Sequence, residues 1–254
     1  MKAMIFDIKR CSKNDGPGIR TTVFFKGCNL DCFWCHNPEG KSPEKQYALF
    51  QDKCTDCGTC RRQENVSEEE KTKLCPVGAR RIYGREYTVE DLFQIISLDK
   101  PYYTATGGGV TFSGGECMLN IDFLTALAQR CKQEGISVAI DTAGHVPYAY
   151  FKQILPYADL FLYDVKCLDP DLHKRGTKRD NALILENLDR LIKDVSKTNS
   201  DKKIIIRVPV VPNFNDGAEL QKIQSYCKER GLPVELLAYH EYGVNKKNAL
   251  QNKE

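Results

Sequence analysis

A cysteine-rich loop near the amino terminus carries the side chains best suited to redox chemistry. Cys28, Cys32 and Cys35 are spaced C-x3-C-x2-C and directly follow an apolar run of residues. A 4Fe-4S cluster normally takes four cysteine ligands. Three thiolates on one short loop would therefore leave one iron open to another ligand. A structural zinc site or a set of redox thiols is the alternative, although no fourth Cys or His completes a zinc set at matched spacing.

A second cysteine set lies farther along the chain and is complete. Cys54, Cys57 and Cys60 form a C-x2-C-x2-C run, and Cys75 follows after fourteen residues with a proline behind it. Ferredoxins use such a run together with a Cys-Pro ligand, so four ligands predict one closed auxiliary 4Fe-4S cluster. Four thiolates also make a good tetrahedral zinc site, which stays open as the alternative. We expect residues 50–84 to form a small inserted module around this site.

The rest of the chain alternates strand-like and helix-like runs. Continuous apolar runs suit a parallel sheet that is covered on both faces. The predicted strands are 21–26, 109–113, 138–142, 159–166, 203–211 and 234–240, and the predicted helices are 89–98, 121–134, 148–155, 181–194 and 218–230. Two of these helices end before Gly135 and Gly231, where a left-handed cap is expected. The pattern predicts an α/β protein whose residues 1–254 form one partial (βα)6 barrel of the TIM type.

Residues that could bind or react lie at the carboxyl ends of the predicted strands. Barrel-type sheets place their chemistry there. The residues in such positions are Cys28 after the first strand, Gly114, Gly115 and Glu116 after the second, Asp141 at the third, Asp164 and Lys166 at the fourth, and His240 at the sixth. A lone Asp or Lys at a strand end is most often only solvated, and a lone Gly-Gly is usually a turn. Their convergence on one edge of a sheet favours a shared site.

The stretches around the first cysteine loop resemble those of a known family. The C-x3-C-x2-C spacing, with Trp34 just before the third cysteine, resembles the radical S-adenosylmethionine (SAM) enzymes. DGPGIRTTVFFKGC at 15–28 and WCHNPEG at 34–40 are similar to the glycyl-radical enzyme activating enzymes, of which the pyruvate formate-lyase activating enzyme is the best-known relative. Relatives usually place Pro where this chain has Cys117 and Ala238, and many carry two cysteine runs in the insertion where this chain has one.

The resemblance implies a radical SAM barrel with an inserted ferredoxin-like iron-sulfur module, in which the amino acid end of SAM chelates the fourth iron. The residues implied to bind SAM are Trp34, Gly114, Gly115, Glu116, Asp141, Asp164, Lys166 and His240. Glycines let the backbone approach a ligand closely. Lys166 can offset the SAM carboxylate, Glu116 can accept from the SAM ammonium, and the acidic residues suit an ammonium, ribose hydroxyls or a monovalent cation. His240 is implied to contact the nucleoside.

The resemblance also implies the reaction. A reduced cluster at Cys28, Cys32 and Cys35 would cleave SAM to methionine and a 5'-deoxyadenosyl radical, which abstracts a hydrogen from a backbone glycine of a partner glycyl-radical enzyme. Asp15 and Arg207 resemble residues near the peptide substrate, and an internal Asp15–Arg207 pair that shapes the mouth is an equal alternative. A flavodoxin or ferredoxin-type protein would supply the electron. A radical SAM enzyme for a small molecule or nucleoside, and a non-catalytic iron-sulfur or zinc-binding module, are the competing hypotheses.

The amino-acid composition indicates the cellular compartment and the classes of partner to expect. Twelve cysteines in 254 residues are below the roughly 8 to 10% typical of a disulfide scaffold, which favours the reducing cytosol. Lys and Arg number 37 against 34 Asp and Glu, and they are scattered among one another. This pattern indicates neither nucleic acid nor lipid as a partner. No segment approaches the ~18 apolar residues of a membrane span, so we expect a cytoplasmic enzyme.

Overall fold

Within residues 1–62, 66–197 and 202–251, which the computed structural model describes, ten strands form two sheets. The strands in chain order are β1 (Lys2–Ser12), β2 (Arg20–Phe25), β3 (Gln46–Leu49), β4 (Arg80–Tyr83), β5 (Arg85–Thr88), β6 (Gly109–Gly114), β7 (Ser137–Thr142), β8 (Leu160–Asp164), β9 (Lys203–Val210) and β10 (Val234–Ala238). The large sheet has the order β10-β9-β8-β7-β6-β2-β1-β5, and β3 pairs with β4. The six strands from β10 to β2 are all parallel, which confirms the predicted partial barrel.

Nine α-helices occur in the same described ranges. They are α1 (Glu68–Leu74), α2 (Val89–Ser97), α3 (Lys100–Thr106), α4 (Ile121–Gln133), α5 (Tyr148–Ile154), α6 (Pro170–Thr177), α7 (Ala182–Lys197), α8 (Ala218–Glu229) and α9 (Tyr242–Gln251). The five predicted helices are α2, α4, α5, α7 and α8. Gly135 and Gly231 end α4 and α8 with φ values of 71° and 64°, which confirms both left-handed caps. None of the described helices is long and apolar enough to cross a membrane.

The apolar core covers both faces of the parallel strands. On the outer face, Leu124 and Leu127 of α4 and Leu188 and Leu191 of α7 are fully buried. Their three-residue spacing forms the apolar stripe of an amphipathic helix. A smaller cluster of Ala139, Leu160 and Leu162, with Ile205 packed against it, belongs to neighbouring strands. Two-sided burial explains why the sequence shows these strands as continuous apolar runs.

β1, which is not among the predicted strands, pairs antiparallel with both β2 and β5. Only Ala3, Ile5 and Ser12 of this strand are buried, so its apolar pattern is weak. The segment between β1 and β2 is held by Arg20, whose guanidinium donates to Thr111 Oγ1 at 2.7 Å and to the carbonyl of Val110 at 2.6 Å. The Arg of the DGPGIR stretch is therefore a structural tie between β2 and β6.

The predicted inserted module, residues 50–84, is bracketed by two short strands. β3 and β4 pair antiparallel and bring the two ends of this region together. Between Cys60 and Cys75 lies α1, whose first turn is closed by a reciprocal cap between Ser67 and Glu70; residues 63–65 lie outside the described ranges. Ala48, Phe50 and Tyr83 of this region pack against Ala249 of α9. The C-terminal helix thus contacts the module directly.

Candidate active site

The carboxyl ends of the parallel strands surround a cavity of about 380 Å³. This volume lies in the range of about 300 to 1,000 Å³ usual for small-molecule sites. The predicted site residues that line it are Asp15, Cys28, Cys32, Trp34, Cys35, Gly114, Gly115, Asp141, Asp164, Lys166 and Arg207. They come from segments almost 200 positions apart in the chain. The parallel strands bring them together by ending at one edge of the sheet.

Backbone hydrogen bonds fix the first cysteine loop on both sides. The Gly27 N–H donates to the Gly40 carbonyl at 2.8 Å, and the Cys28 N–H donates to the Lys41 carbonyl at 3.0 Å. On the other side, the N–H groups of Asp31 and Phe33 donate to the carbonyls of Thr177 and Gly176 at the end of α6. The loop is therefore held by protein contacts at both of its ends.

The positive charge of Lys166 lies near the three thiols of the cysteine loop. Burial raises the pKa of Cys28 to about 12 and of Cys32 to about 11. Lys166 is nearly buried and lies 2.7 Å from Asp164. Burial disfavours its charge, but Asp164 and Cys32 outweigh burial and raise the pKa of its ammonium. A fixed cation beside the loop offsets the negative charge that three deprotonated thiols would bring.

Lys41 is a site residue that the sequence analysis missed. It lines the cavity, forms an ion pair with Asp31, and its Nζ donates to the Cys32 carbonyl at 3.0 Å. Its position directly after the WCHNPEG stretch was the available signal. Lys41 thus adds a second ammonium group on the cysteine loop.

Arg207 and Asp15 line the same cavity without a hydrogen bond between them. Arg207 Nη1 lies 3.4 Å from Asp141 Oδ2, which also accepts from Ser113 Oγ at 2.6 Å. Asp15 Oδ2 instead accepts from Ser12 at 2.5 Å and from Thr22 at 2.7 Å. The alternative of an internal Asp15–Arg207 pair is therefore wrong, because Asp15 is bonded to Ser12 and Thr22. Arg207 instead faces Asp141, two strands away in the sheet, and donates to the carbonyl of Asn14 at 3.3 Å.

Glu116 was predicted to contact the ligand, but its side chain does not line the cavity. The residue is 1% exposed. Its carboxylate accepts from the Thr142 hydroxyl at 2.8 and 2.9 Å and from the N–H groups of Ala143 at 3.0 Å and Met118 at 3.2 Å. The carboxylate points inward and joins the SGGE loop to the loop after β7, and its contact with the SAM ammonium remains a prediction.

Burial of Glu116 predicts a pH dependence of stability. Burial raises the pKa of its carboxyl from the usual 4.5 to about 7. The folded protein then keeps a proton that the unfolded chain releases, so this contribution is full below pH 4.5 and is lost as the pH rises through about 7. We expect Glu116 to lower the free energy of unfolding by on the order of 3 kcal/mol over that interval.

Urea unfolding of the cluster-free protein between pH 5 and pH 8 measures this effect. Glu116→Gln should remove this part of the pH dependence, because Gln does not titrate, whereas the exposed Glu229→Gln variant should keep the wild-type dependence. Parallel stability curves for wild type and Glu116→Gln would refute the assignment.

The two glycines of the SGGE stretch line the cavity and also allow backbone segments to pack closely against each other. Gly114 has φ 122°, a conformation that favours glycine, and a Cβ there would overlap the backbone of Phe25. A Cβ at Gly115 would overlap the carbonyl oxygens of Gly27 and Gly40, which flank the cysteine loop. The missing side chain at Gly115 therefore lets the SGGE loop lie directly against the residues that flank the cysteine loop.

His240 lies away from the strand-end cavity. It lines a neighbouring cavity of about 290 Å³, together with Cys32 and Cys35 of the cysteine loop. Its ring centroid is 6.0 Å from that of His36 and 5.4 Å from that of Tyr242. The chain turns from β10 into α9 beside the cysteine loop, and the nucleoside contact of His240 remains a prediction.

The second cysteine set also converges on one cavity, of about 110 Å³, lined by Cys54, Cys57, Cys60 and Cys75. Burial disfavours a thiolate at Cys75, but N–H groups of residues 77–80 outweigh it and lower the pKa of this thiol. The Thr59 hydroxyl and N–H lower the pKa of Cys57. In the described ranges, no group of three His, Cys, Asp or Glu side chains is placed close enough together to hold a single metal ion. Both sites are thus defined by their donor residues and the cavities they line.

Comparisons with known proteins show the family of this chain. Residues 14–178 match the family described as a 4Fe-4S single cluster domain. The chain is 37% identical to the trans-4-hydroxy-L-proline dehydratase activating enzyme of Clostridioides difficile, over 100% of this chain and 89% of the relative. It is 38% identical to the (2S)-3-sulfopropanediol dehydratase activating enzyme of Klebsiella oxytoca, over 84% of this chain and 73% of the relative.

A solved structure of SuiB from Streptococcus suis bound to S-adenosylmethionine shares the fold, with a TM-score of 0.52 and 13% identity over 87% of this chain and 38% of that chain. The family match covers more than half of the chain, and both activating enzymes exceed 30% identity over most of their own lengths. The chain therefore belongs to the radical SAM family of glycyl-radical enzyme activating enzymes.

Proposed function

We propose that this chain installs a glycyl radical on a partner enzyme by reductive cleavage of SAM in the strand-end cavity. The observation that carries the proposal is the convergence of three cysteines, Lys166, Asp141 and Arg207 on one cavity of about 380 Å³. Names of the relatives include activating enzymes of dehydratases, a choline trimethylamine-lyase and decarboxylases. The partner is accordingly a glycyl-radical dehydratase, lyase or decarboxylase.

The donor set fits a 4Fe-4S cluster with three protein ligands. Within the described part of the chain, Cys28, Cys32 and Cys35 are the cysteines that line this cavity. Four ligands are usual for such a cluster, so the fourth place is left for SAM. When bound and reduced, the cluster supplies the electron that splits SAM into methionine and a 5'-deoxyadenosyl radical, the species that removes hydrogen from the partner's glycine.

The polar side chains around the cavity hold the two substrates. The Lys166 ammonium, kept charged by Asp164, would neutralise the carboxylate of SAM. Asp141 and Asp164 suit the ammonium or the ribose of SAM, or a monovalent cation. Gly114 and Gly115 leave room for the ligand at the cavity wall, and Trp34 offers an aromatic face there.

Arg207 and Asp15 would meet the peptide that carries the glycine. Arg207 Nε has no hydrogen-bond partner in the described structure, although Glu235 lies 3.4 Å away. Because this Nε is buried, a peptide carbonyl would reach the guanidinium only through the part of Arg207 that lines the cavity. Holding the glycine and SAM together in this cavity would position the reacting atoms and displace water and competing hydrogen donors.

Anaerobic reconstitution tests the function. The iron-loaded protein is reduced with dithionite in the presence of SAM, 5'-deoxyadenosine is measured by chromatography, and a glycyl radical on candidate partners is sought by electron paramagnetic resonance. Both products are expected. Failure of the loaded, reduced protein to cleave SAM would refute any radical SAM activity, and cleavage without radical transfer to any partner would favour the small-molecule alternative.

We also propose that the inserted module binds a second 4Fe-4S cluster through Cys54, Cys57, Cys60 and Cys75. The four thiols line one cavity, and N–H groups around Cys75 favour its thiolate. Oriented backbone N–H groups form anion-binding concavities of the kind found at iron-sulfur sites. All twelve cysteines, each within the described ranges, are free thiols, which suits the reducing cytoplasm and a flavodoxin or ferredoxin-type reductant.

Cys57→Ala should lower the iron content from about eight to about four atoms per chain, because one of two clusters loses a ligand. Dithionite-driven SAM cleavage should persist, since the cysteines of the first loop are untouched. Metal analysis by mass spectrometry, with Cys11→Ala as the matched control, checks both. One zinc per chain in the wild type, with iron unchanged by Cys57→Ala, would contradict the cluster and identify a zinc site.

A further inference from the structure

We propose that the outer side of the first cysteine loop is the docking surface for a small acidic electron-carrier protein. This inference rests on the proposed function, because it requires a redox cluster at Cys28, Cys32 and Cys35. We call this surface the loop face. It consists of an apolar centre, Phe33, Tyr242 and Val244, and of the basic side chains Lys174, Arg175, Lys178, Arg179 and Lys247.

The cysteine loop separates this face from the strand-end cavity. Cys32 and Cys35 line the strand-end cavity on one side and the 290 Å³ cavity of Val244 and Lys247 on the other. A protein docked on the loop face would approach the cysteine ligands without entering the space needed for SAM and the glycine. One electron would pass from the reduced carrier to the cluster. The carrier would be oxidised by one electron and the cluster reduced by one electron, and no covalent bond would form or break.

The apolar centre is exposed and rigid. Phe33 is 59% exposed, Tyr242 74% and Val244 47%. The Phe33 ring packs edge-on against the buried Trp34 at 4.7 Å and against the half-buried Phe214 at 5.5 Å, so two rings hold its position. A small aromatic and aliphatic centre suits the weak, limited interfaces of electron-transfer complexes.

Basic side chains border this centre on two sides. Lys174, Arg175, Lys178 and Arg179 are exposed at the end of α6, whose Gly176 and Thr177 carbonyls bind the cysteine loop. Lys247 is exposed on α9, and both it and Lys178 lie near enough to Asp31 to act on its charge. The exposed acidic side chains in the same segments are Asp169, Asp171, Asp180 and Glu241. Asp169 and Asp171 lie at the start of α6 rather than at its basic end, and Asp31 is paired with Lys41. The positive excess fits an acidic partner and would steer its approach.

The glycyl-radical enzyme is a poorer match for this surface. Its glycine must enter the strand-end cavity, which is lined by Asp15 and Arg207, whereas Val244 and Lys247 line the separate 290 Å³ cavity. A surface that serves electron delivery can therefore stay accessible while the peptide occupies the mouth.

A charge-reversal variant tests the docking surface. The triple variant Lys174→Glu, Lys178→Glu, Lys247→Glu is compared with Lys152→Glu, Lys193→Glu, Lys228→Glu, which makes the same charge change. The control residues are exposed in the later turns of α5, α7 and α8, at the opposite edge of the sheet. Affinity is measured by calorimetric titration with flavodoxin and, separately, ferredoxin at low and high salt. SAM cleavage is measured with each reduced carrier and with dithionite.

The loop-face variant should bind the carrier at least about tenfold more weakly and lose most of the salt dependence, while its cleavage with dithionite matches wild type. The control variant should behave like wild type in every assay. Equal carrier affinity in the two variants would overturn the proposal, as would a loop-face variant impaired only in radical transfer to the glycyl-radical enzyme. Absence of dithionite-driven SAM cleavage in wild type would instead refute the proposed function itself.

Discussion

Cys32→Ser is expected to reduce SAM cleavage by more than about a hundredfold in the reconstituted, dithionite-reduced protein. Changes to groups that only support a metal ligand typically cost 10- to 100-fold, and loss of a ligand should cost more. Cys32 lines both the strand-end cavity and the cavity beside α9, so it belongs to the wall that the two cavities share. Chromatographic measurement of 5'-deoxyadenosine, with the paramagnetic signal of the reduced protein, reports the loss.

Cys11→Ser is the matched control for this experiment. Cys11 is an exposed free thiol that lines neither cysteine cavity. Its replacement should leave SAM cleavage and iron content at the wild-type level. Wild-type cleavage by Cys32→Ser would show that the three-cysteine loop does not hold the reactive cluster.

Gly115→Ala is expected to disrupt the same site through the backbone. A Cβ at this position would overlap the carbonyl oxygens of Gly27 and Gly40, which stand on either side of the cysteine loop. The Gly115 N–H also donates to the Phe25 carbonyl at 2.9 Å, and the Glu116 N–H donates to the Gly27 carbonyl at 2.7 Å. Because backbone atoms held by such bonds cannot rotate aside, the alanine must shift the loop.

The expected result for Gly115→Ala is a 10- to 100-fold loss of SAM cleavage, as for a change in a ligand's support, with about 1 to 3 kcal/mol lost from the free energy of unfolding. Cleavage assays, iron analysis and urea unfolding measure these effects. Gly135→Ala provides the comparison, because it strains a left-handed residue with φ 71° but meets no neighbouring atom. It should cost about 1 kcal/mol and leave cleavage unchanged. Full activity of Gly115→Ala would contradict the proposed packing.

Local signals explain which parts of the fold were predictable. The parallel strands are buried on both faces, so they stand out as apolar runs, and Gly135 and Gly231 mark helix ends that depend on a few adjacent residues. In contrast, β1 has an irregular burial pattern and gains its place by pairing with β2 and β5. The helix α9 is likewise recognisable through its contacts with β3 and the cysteine loop rather than through its own periodicity.

The candidate site also has features that the sequence predicts and features that depend on tertiary contacts. Cysteine spacing lies within one loop, and strand-end positions follow from the parallel sheet, so the sequence by itself determined the two cysteine sets and the edge where the site lies. Side-chain direction at that edge depends on distant partners. Glu116 turns inward because Thr142 and Ala143 of another loop supply its donors, and Arg207 pairs with Asp141 rather than Asp15.

The tertiary structure alone decided where His240 lies and what covers the outside of the cysteine loop. His240 follows β10 as predicted, but Gly243 of α9 packs directly against the Cys35 carbonyl and turns the chain over the loop. Lys246 then secures this turn by donating to the His36 carbonyl at 3.2 Å and by its 2.5 Å ion pair with buried Glu39. Such contacts join residues about 200 positions apart, and only the folded chain brings them within reach.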